Sequence, residues 1–257
     1  MAPLAAENLS LSYGSTPILQ DISLALPEGQ ITAIVGPNAC GKSSLLRCLA
    51  RLQDPSAGTV LLNGTAIRKQ KTRDVARQLA VLPQSTIAPT GMKVIDLVLR
   101  GRTPHQSPLQ QYSAKDHQRV AEALDHVGLA HRQEAYLEDL SGGQLQRAWI
   151  AMVLAQDTKI LLLDEPTTFL DMPHQLEIMQ LVRDLQAARG LTVAMVLHDI
   201  NLAARFCDQI VAIKDRAVLC QGSPTEVITE DTIEAIYGLG CSVIADPHHG
   251  HPHIILK

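Results

Sequence analysis

The segment Gly36-Pro37-Asn38-Ala39-Cys40-Gly41-Lys42-Ser43 constrains this chain more than any other. It fits G-x-x-x-x-G-K-[ST], a glycine loop whose backbone N–H groups cradle nucleotide phosphates. Such a loop functions between a strand and a helix, and both flanks supply one. Ile31-Thr32-Ala33-Ile34-Val35 is a β-branched run that leads into Gly36. After Lys42, residues Leu45, Leu46, Leu49 and Leu52 recur at helical spacing. The expectation is a strand–loop–helix unit that binds ATP or GTP.

The rest of the chain is organised around that unit. Ser15-Thr16-Pro17 and Pro27-Glu28-Gly29 divide residues 8–35 into short strands. From 92 to 157 the pattern is mostly helical: Val94–Leu99 opens it and a polar stretch (102–111) interrupts it. Val120, Leu124, Val127 and Leu129 then mark a longer amphipathic segment. Ile160–Leu163 is an all-apolar run of the kind buried on both faces of a parallel sheet, and it ends at Asp164-Glu165. A helix over 175–188 stops at Gly190. A second buried strand, Leu191–Leu197, ends at His198-Asp199, and Ile210–Ile213 reads as one more. Trp149 reads as core.

Alternating strands and helices predict a mainly parallel sheet with ligands at the carboxyl ends of its strands, where Asp164, Glu165 and His198 fall. The chemistry of polyphosphate then assigns tasks. Lys42 adds a cation to the β and γ phosphates. Ser43 places a hydroxyl on Mg²⁺, and Asp164 completes the metal shell. Glu165, adjacent to Asp164, is positioned to polarise the attacking water as general base.

A second motif, Leu140-Ser141-Gly142-Gly143-Gln144, narrows the class. Together the two motifs resemble the ATP-binding cassette family over nearly the whole chain. The resemblance implies an α/β P-loop NTPase core with a mainly parallel sheet, an N-terminal antiparallel β part and an inserted helical subdomain. The chain reads as a single ATPase domain over 1–257. Its core is 1–91 and 158–222, its helical signature subdomain 92–157, and its C-terminal extension 223–257. The resemblance also implies that residues Gly36, Pro37, Asn38, Ala39, Cys40, Gly41, Lys42, Ser43 and Ser44 bind ATP. Tyr13 would stack on adenine, Gln84 would contact Mg²⁺ and sense a membrane partner, and Asp171 would communicate between subunits. His198 would hold the γ phosphate and the attacking water. Ser141, Gly142, Gly143 and Gln144 would cap the ATP held by a second copy, which implies an ATP-dependent dimer. Two positions depart from the commonest family pattern. Ala39 stands where glycine is usual, which matters only if the backbone there needs positive φ, and Phe169 stands where a smaller residue is frequent.

Composition excludes other classes. With 3% aromatic residues, a net charge of -4 and no basic stripe, nucleic-acid recognition is not expected. The amino terminus shows no secretory pattern, and no stretch approaches the roughly 18 apolar residues of a membrane span. Cys40, Cys48, Cys207, Cys220 and Cys241 have neither metal-ligand nor disulfide spacing and read as cytosolic thiols. With no membrane span in the sequence, the resemblance implies that the chain is the ATP-hydrolysing motor of an importer. It would sit peripherally on the cytoplasmic face of the cell's inner membrane, bound to polytopic permease subunits and served indirectly by an external substrate-binding protein. Residues 148–152, 197–203 and 236–239 resemble the subgroup serving iron(III)-siderophores, to which haem and vitamin B12 motors are similar. The alternative is a soluble ATPase of the family outside transport. Last, Pro247-His248-His249-Gly250-His251-Pro252-His253 reads as a flexible stretch able to take Zn²⁺ or Ni²⁺, adventitiously or otherwise.

Overall fold

Apolar residues follow two patterns in this chain, and each builds a different sheet. The computed structural model describes residues 2–84, 90–106 and 112–257. Its first half runs β1 (Leu4–Tyr13), β2 (Thr16–Leu26), β3 (Ile31–Val35), α1 (Lys42–Leu49), β4 (Ala57–Leu62), β5 (Thr65–Ala66), α2 (Thr72–Ala76) and β6 (Leu79–Leu82). Three helices follow: α3 (Val94–Arg100), α4 (Ala114–His126) and α5 (Gly142–Ala155). Then come β7 (Ile160–Asp164), α6 (Met172–Arg189), β8 (Thr192–Val196), α7 (Ile200–Phe206), β9 (Gln209–Lys214) and β10 (Ala217–Gly222). The chain closes with α8 (Pro224–Val227), α9 (Glu230–Tyr237), β11 (Cys241–Ala245) and β12 (Pro252–Leu256).

Strands β1 and β2 alternate buried and exposed residues, so one face packs and the other meets solvent. They form an antiparallel sheet in the order β2-β1-β4-β5. Strands β3, β7 and β8 are buried at every position. They lie in a six-stranded sheet, β10-β9-β3-β8-β7-β6, parallel throughout except for β10. The expected α/β architecture is the one that forms.

Alternation along the buried strands explains their unbroken apolar runs. Ala33, Val35, Leu161, Leu163, Val193 and Met195 point into one core, shared with α3, α4, α5 and α6. Their neighbours Ile34, Ile160, Leu162, Ala194 and Val196 point into a second core, shared with α1 and the antiparallel sheet. Helix α1 is thus wedged between the two sheets by Leu45, Leu46, Cys48 and Leu49. Trp149 packs half-buried against the first core.

Three expectations need correction. Leu52 does not continue the helical stripe: α1 ends at Leu49 and Leu52 is 64% exposed. The break near Pro17 falls earlier, at Gly14-Ser15, because β2 is an edge strand and tolerates proline. The histidine-rich stretch is an ordered turn between β11 and β12, with His253 inside β12, rather than a flexible tail. Part of the polar stretch at 102–111 lies outside the described residues.

The three helices between β6 and β7 are tied together by a buried ion pair. Arg102 Nε donates to Asp116 Oδ1 at 2.9 Å, and Arg102 Nη1 donates to the Ala155 carbonyl at 2.7 Å. Asp116 also caps α4 through reciprocal bonds with Ser113. Burial opposes its charge, but the hydrogen bonds from Ser113 and Arg102 prevail and hold its carboxyl down at about 2.

Candidate functional site

Parallel strands deliver their carboxyl ends to one edge of the sheet, and a cleft of about 470 Å³ opens there. It is lined by Asn38, Ala39, Gly41, Lys42, Ser43 and Ser44 of the loop after β3, with Gln84 after β6, Glu165 after β7 and His198 after β8. Ile18 of β2 closes one side, and nothing in its sequence context marks it. A side chain on the edge of another sheet becomes a wall only through tertiary packing.

The loop is shaped by close backbone approach. Gly36 has φ 149°, and a Cβ there would lie 2.1 Å from the Ile213 carbonyl oxygen, so only glycine fits. Ala39 has φ 61°, so the left-handed conformation that glycine serves in this loop is present and alanine occupies it. Lys42 is nearly buried and donates to the carbonyls of Gly36 (2.9 Å) and Pro37 (2.8 Å), which curls the loop around the ammonium. Free N–H groups at the start of α1 add the partial positive charge of a helix terminus. Burial pushes the Cys40 thiol up, against the opposing charge of Lys42, so the thiol stays protonated at neutral pH.

Two carboxylates follow one another but sit differently. Asp164 is 2% exposed and accepts from Ser43 Oγ at 2.8 Å. Burial raises its pKa, helped by the neighbouring Glu165 charge. Glu165 adopts φ 53°, which turns it off the strand into the cleft. Its Oε2 accepts from Gln84 Nε2 (2.7 Å) and Thr168 Oγ1 (2.9 Å), and its Oε1 lies 2.7 Å from His198 Nε2. Burial works against the charge, but the hydrogen bonds from His198, Thr168 and Gln84 outweigh it and lower the pKa. His198 is held between the end of β8 and the start of α7, where Asp199 caps the helix through Asn201 and Leu202.

The donor set fits Mg²⁺. Ser43 Oγ, which lines the cleft, stands 2.8 Å from an Asp164 oxygen, and the Gln84 amide is a further oxygen source. These are hard oxygen ligands, too few for a closed cage, which suits an ion that keeps waters and phosphate oxygens.

Other sequence candidates lie elsewhere. Tyr13 is 47% exposed at the end of β1 and does not line the cleft. Ser141 and Gln144 form a capping box at the start of α5: Ser141 Oγ accepts from Gln144 N, and Gln144 Oε1 accepts from Ser141 N. A Cβ on Gly143 would come within 2.5 Å of the His174 ring, so the glycine lets α5 pack on α6. Asp171 caps α6 and contacts His174 Nδ1. Ser141–Gln144 and Asp171 therefore share one surface, separate from the residues that line the cleft. Gln146 Nε2 links the two regions, donating to the Pro166 carbonyl at 2.9 Å, just beyond Glu165.

The chain resembles well-described proteins. Residues 19–168 match the ABC transporter family. The petrobactin import ATP-binding protein FpuD of Bacillus anthracis is 48% identical, over 97% of this chain and 91% of its own length. The ferric enterobactin transport ATP-binding protein FepC of Escherichia coli (strain K12) is 43% identical, over 99% of this chain and 94% of its own. Among solved structures, a metal-chelate type ABC transporter in an inward-facing conformation superposes with TM-score 0.87 at 27% identity, covering 100% of this chain and 98% of that one. The dimeric cassette MJ0796 superposes with TM-score 0.75 at 27% identity, covering 86% and 98%. The chain belongs to the ABC transporter family and is one of its ATP-binding, ATP-hydrolysing cassettes.

Proposed function

We propose that this cassette drives an importer of iron(III)-siderophores, as a pair of identical chains bound to membrane permease subunits at the cytoplasmic face. The observation that carries its chemistry is the meeting of Lys42, Ser43, Gln84, Glu165 and His198 in one cleft, with Asp164 hydrogen-bonded to Ser43. The names of the relatives, all siderophore or iron-hydroxamate systems at 43% to 48% identity in the first five matches, support the cargo class. No helix among the described residues is long and apolar enough to cross a membrane, which suits a motor that acts on separate membrane chains.

The hydrolytic step would draw on the residues that line this cleft. Backbone N–H groups of the loop and Lys42 hold the phosphates. Ser43, Asp164 and Gln84 would hold Mg²⁺, which would neutralise phosphate charge there. Glu165 accepts a proton from water as the water oxygen bonds to the γ phosphorus and the bond to the bridging oxygen breaks, giving ADP and phosphate. His198, whose Nε2 lies 2.7 Å from Glu165 Oε1, turns that one N–H toward the γ phosphate when ATP is bound. Tyr13 stacks on adenine from the end of β1. Ser141–Gln144 of the second chain close over the γ phosphate, and Asp171 lies beside them at the contact between the chains.

Purification from membranes in mild detergent, with identification of every co-purifying protein, tests the reading. Two copies with a polytopic permease, and ATPase activity stimulated by a ferric-siderophore-loaded binding protein, are the expected result. Recovery only as a free protein, with iron uptake unchanged on deletion, overturns it. Stimulation by a haem- or corrinoid-loaded binding protein instead would reassign the cargo.

A further inference from the structure

Outside the cleft, one other group of metal-binding side chains converges among the described residues. Strands β11 and β12 pair antiparallel with Ala245 opposite Pro252, and residues 246–251 turn between them. Asp246 N donates to the His251 carbonyl at 2.8 Å, and Gly250 N donates to the Asp246 carbonyl at 2.8 Å. The Asp246 side chain stiffens the turn further. Its Oδ1 accepts from the backbone N–H of His248 (3.0 Å) and His249 (2.8 Å) and lies 3.1 Å from His249 Nδ1. All three contacts fall on Oδ1, which leaves Oδ2 open.

His251 supplies a separate observation. Its Nδ1 lies 3.2 Å from the Pro252 carbonyl oxygen, an acceptor, so Nδ1 carries the proton and Nε2 carries the lone pair. That Nε2 is buried and has no hydrogen-bond partner. Metal-bound histidines are oriented in this way, one ring nitrogen donating to a backbone carbonyl and the other free for the ion. The His249 and His251 rings stack 5.8 Å apart at 20°. One ligand atom from each of Asp246, His249 and His251 lies within 4.8 Å of the others. Zinc ligands at about 2.0–2.2 Å from the ion stand roughly 3.3 Å from each other, so a small rotation of the half-exposed His249 closes the set.

We propose that the turn between β11 and β12 is a Zn²⁺ site, with Asp246, His249 and His251 as ligands and water in the fourth position. Two imidazoles and one carboxylate favour zinc over the Mg²⁺ expected in the cleft, which prefers oxygen alone. The site is anchored rather than pendant. Asn201 of α7 accepts from Ile254 N at 2.8 Å and donates to its carbonyl at 3.3 Å, fastening β12 to the helix that follows His198.

The test uses the untagged full-length chain without nucleotide, so its outcome is independent of the transport reading. Equilibrium dialysis against Zn²⁺ followed by metal analysis is expected to give one ion per chain, and Co²⁺ substitution to give visible bands of low-symmetry coordination. His251→Gln and Asp246→Asn should each weaken binding roughly tenfold or more, and His249→Ala likewise. His248→Ala and His253→Ala, neighbours outside the set, should bind as the parent does. Thermal melts of the metal-free variants verify that each folds. No bound zinc, unsaturable binding of several ions, or equal losses across all four histidines would mean an adventitious ion only and overturn the proposal.

Discussion

Glu165 is under three opposing demands. It is driven into a left-handed backbone conformation that costs about 1–2 kcal/mol, its side chain is 8% exposed, and three hydrogen-bonding groups nonetheless keep it ionised. Backbone strain of that kind persists only where surrounding structure enforces it. Glu165→Gln is expected to lower ATP turnover roughly a hundredfold or more while leaving nucleotide affinity within a few fold, measured by phosphate release and fluorescent-ATP binding. Equal turnover would remove Glu165 from the role of base. Ala39 carries similar strain without a chemical reason, at φ 61°. Ala39→Gly should relieve it, less the extra chain entropy of glycine, for a net gain of up to about 1 kcal/mol, a rise of about 2–4 °C in Tm. At this scale the sequence was informative where a motif fixes spacing, as for Lys42, Ser43, Asp164 and Glu165. It was silent on Thr168, whose hydroxyl reaches Glu165 only because the loop after β7 curls back. The φ of Ala39 was signalled only by the family pattern, which usually places glycine there, and not by any neighbouring residue.

Among the elements, the helices between β6 and β7 are joined by the buried Arg102–Asp116 pair as well as by their shared core. Arg102→Ala would strand Asp116 and free the Ala155 carbonyl, so it should cost about 3–5 kcal/mol in urea unfolding. The pair also sets an acid response. Asp116 has its folded pKa depressed to about 2, so its contribution is whole above its unfolded pKa near 3.8 and is lost as pH falls through 2. Stability measured from pH 5 down to pH 2 should show that loss in the parent and a smaller slope in Arg102→Ala. Element types were readable because the periods differ: two for β1 and β2, unbroken for β3, β7 and β8, about four for α4. Ends were less readable. Leu52 extends a helical spacing that the chain abandons, and Pro17 signals a break that an edge strand absorbs. The ordered C-terminal hairpin was not visible at all, since its anchor is Asn201, some fifty residues away.

For the whole molecule, the surface beside Asp171 is conspicuous for what it leaves uncovered: Phe169 is 96% exposed and Met172 73%. Exposed apolar groups next to Ser141–Gln144 fit a face that is covered only when two chains meet. Light scattering of Glu165→Gln should report a monomer without nucleotide and a dimer with Mg-ATP, and adding Phe169→Asp should keep it monomeric throughout. A dimer without ATP, or one indifferent to Phe169→Asp, would contradict this arrangement. The separation of the Ser141–Gln144 surface from the cleft has a genetic corollary. Each polypeptide would carry half of two reaction centres and the whole of neither, so two differently damaged copies could repair one another. A chain lacking Lys42 and a chain lacking Ser141, each inert by itself, would regain partial turnover on mixing, whereas two chains with the same lesion would not.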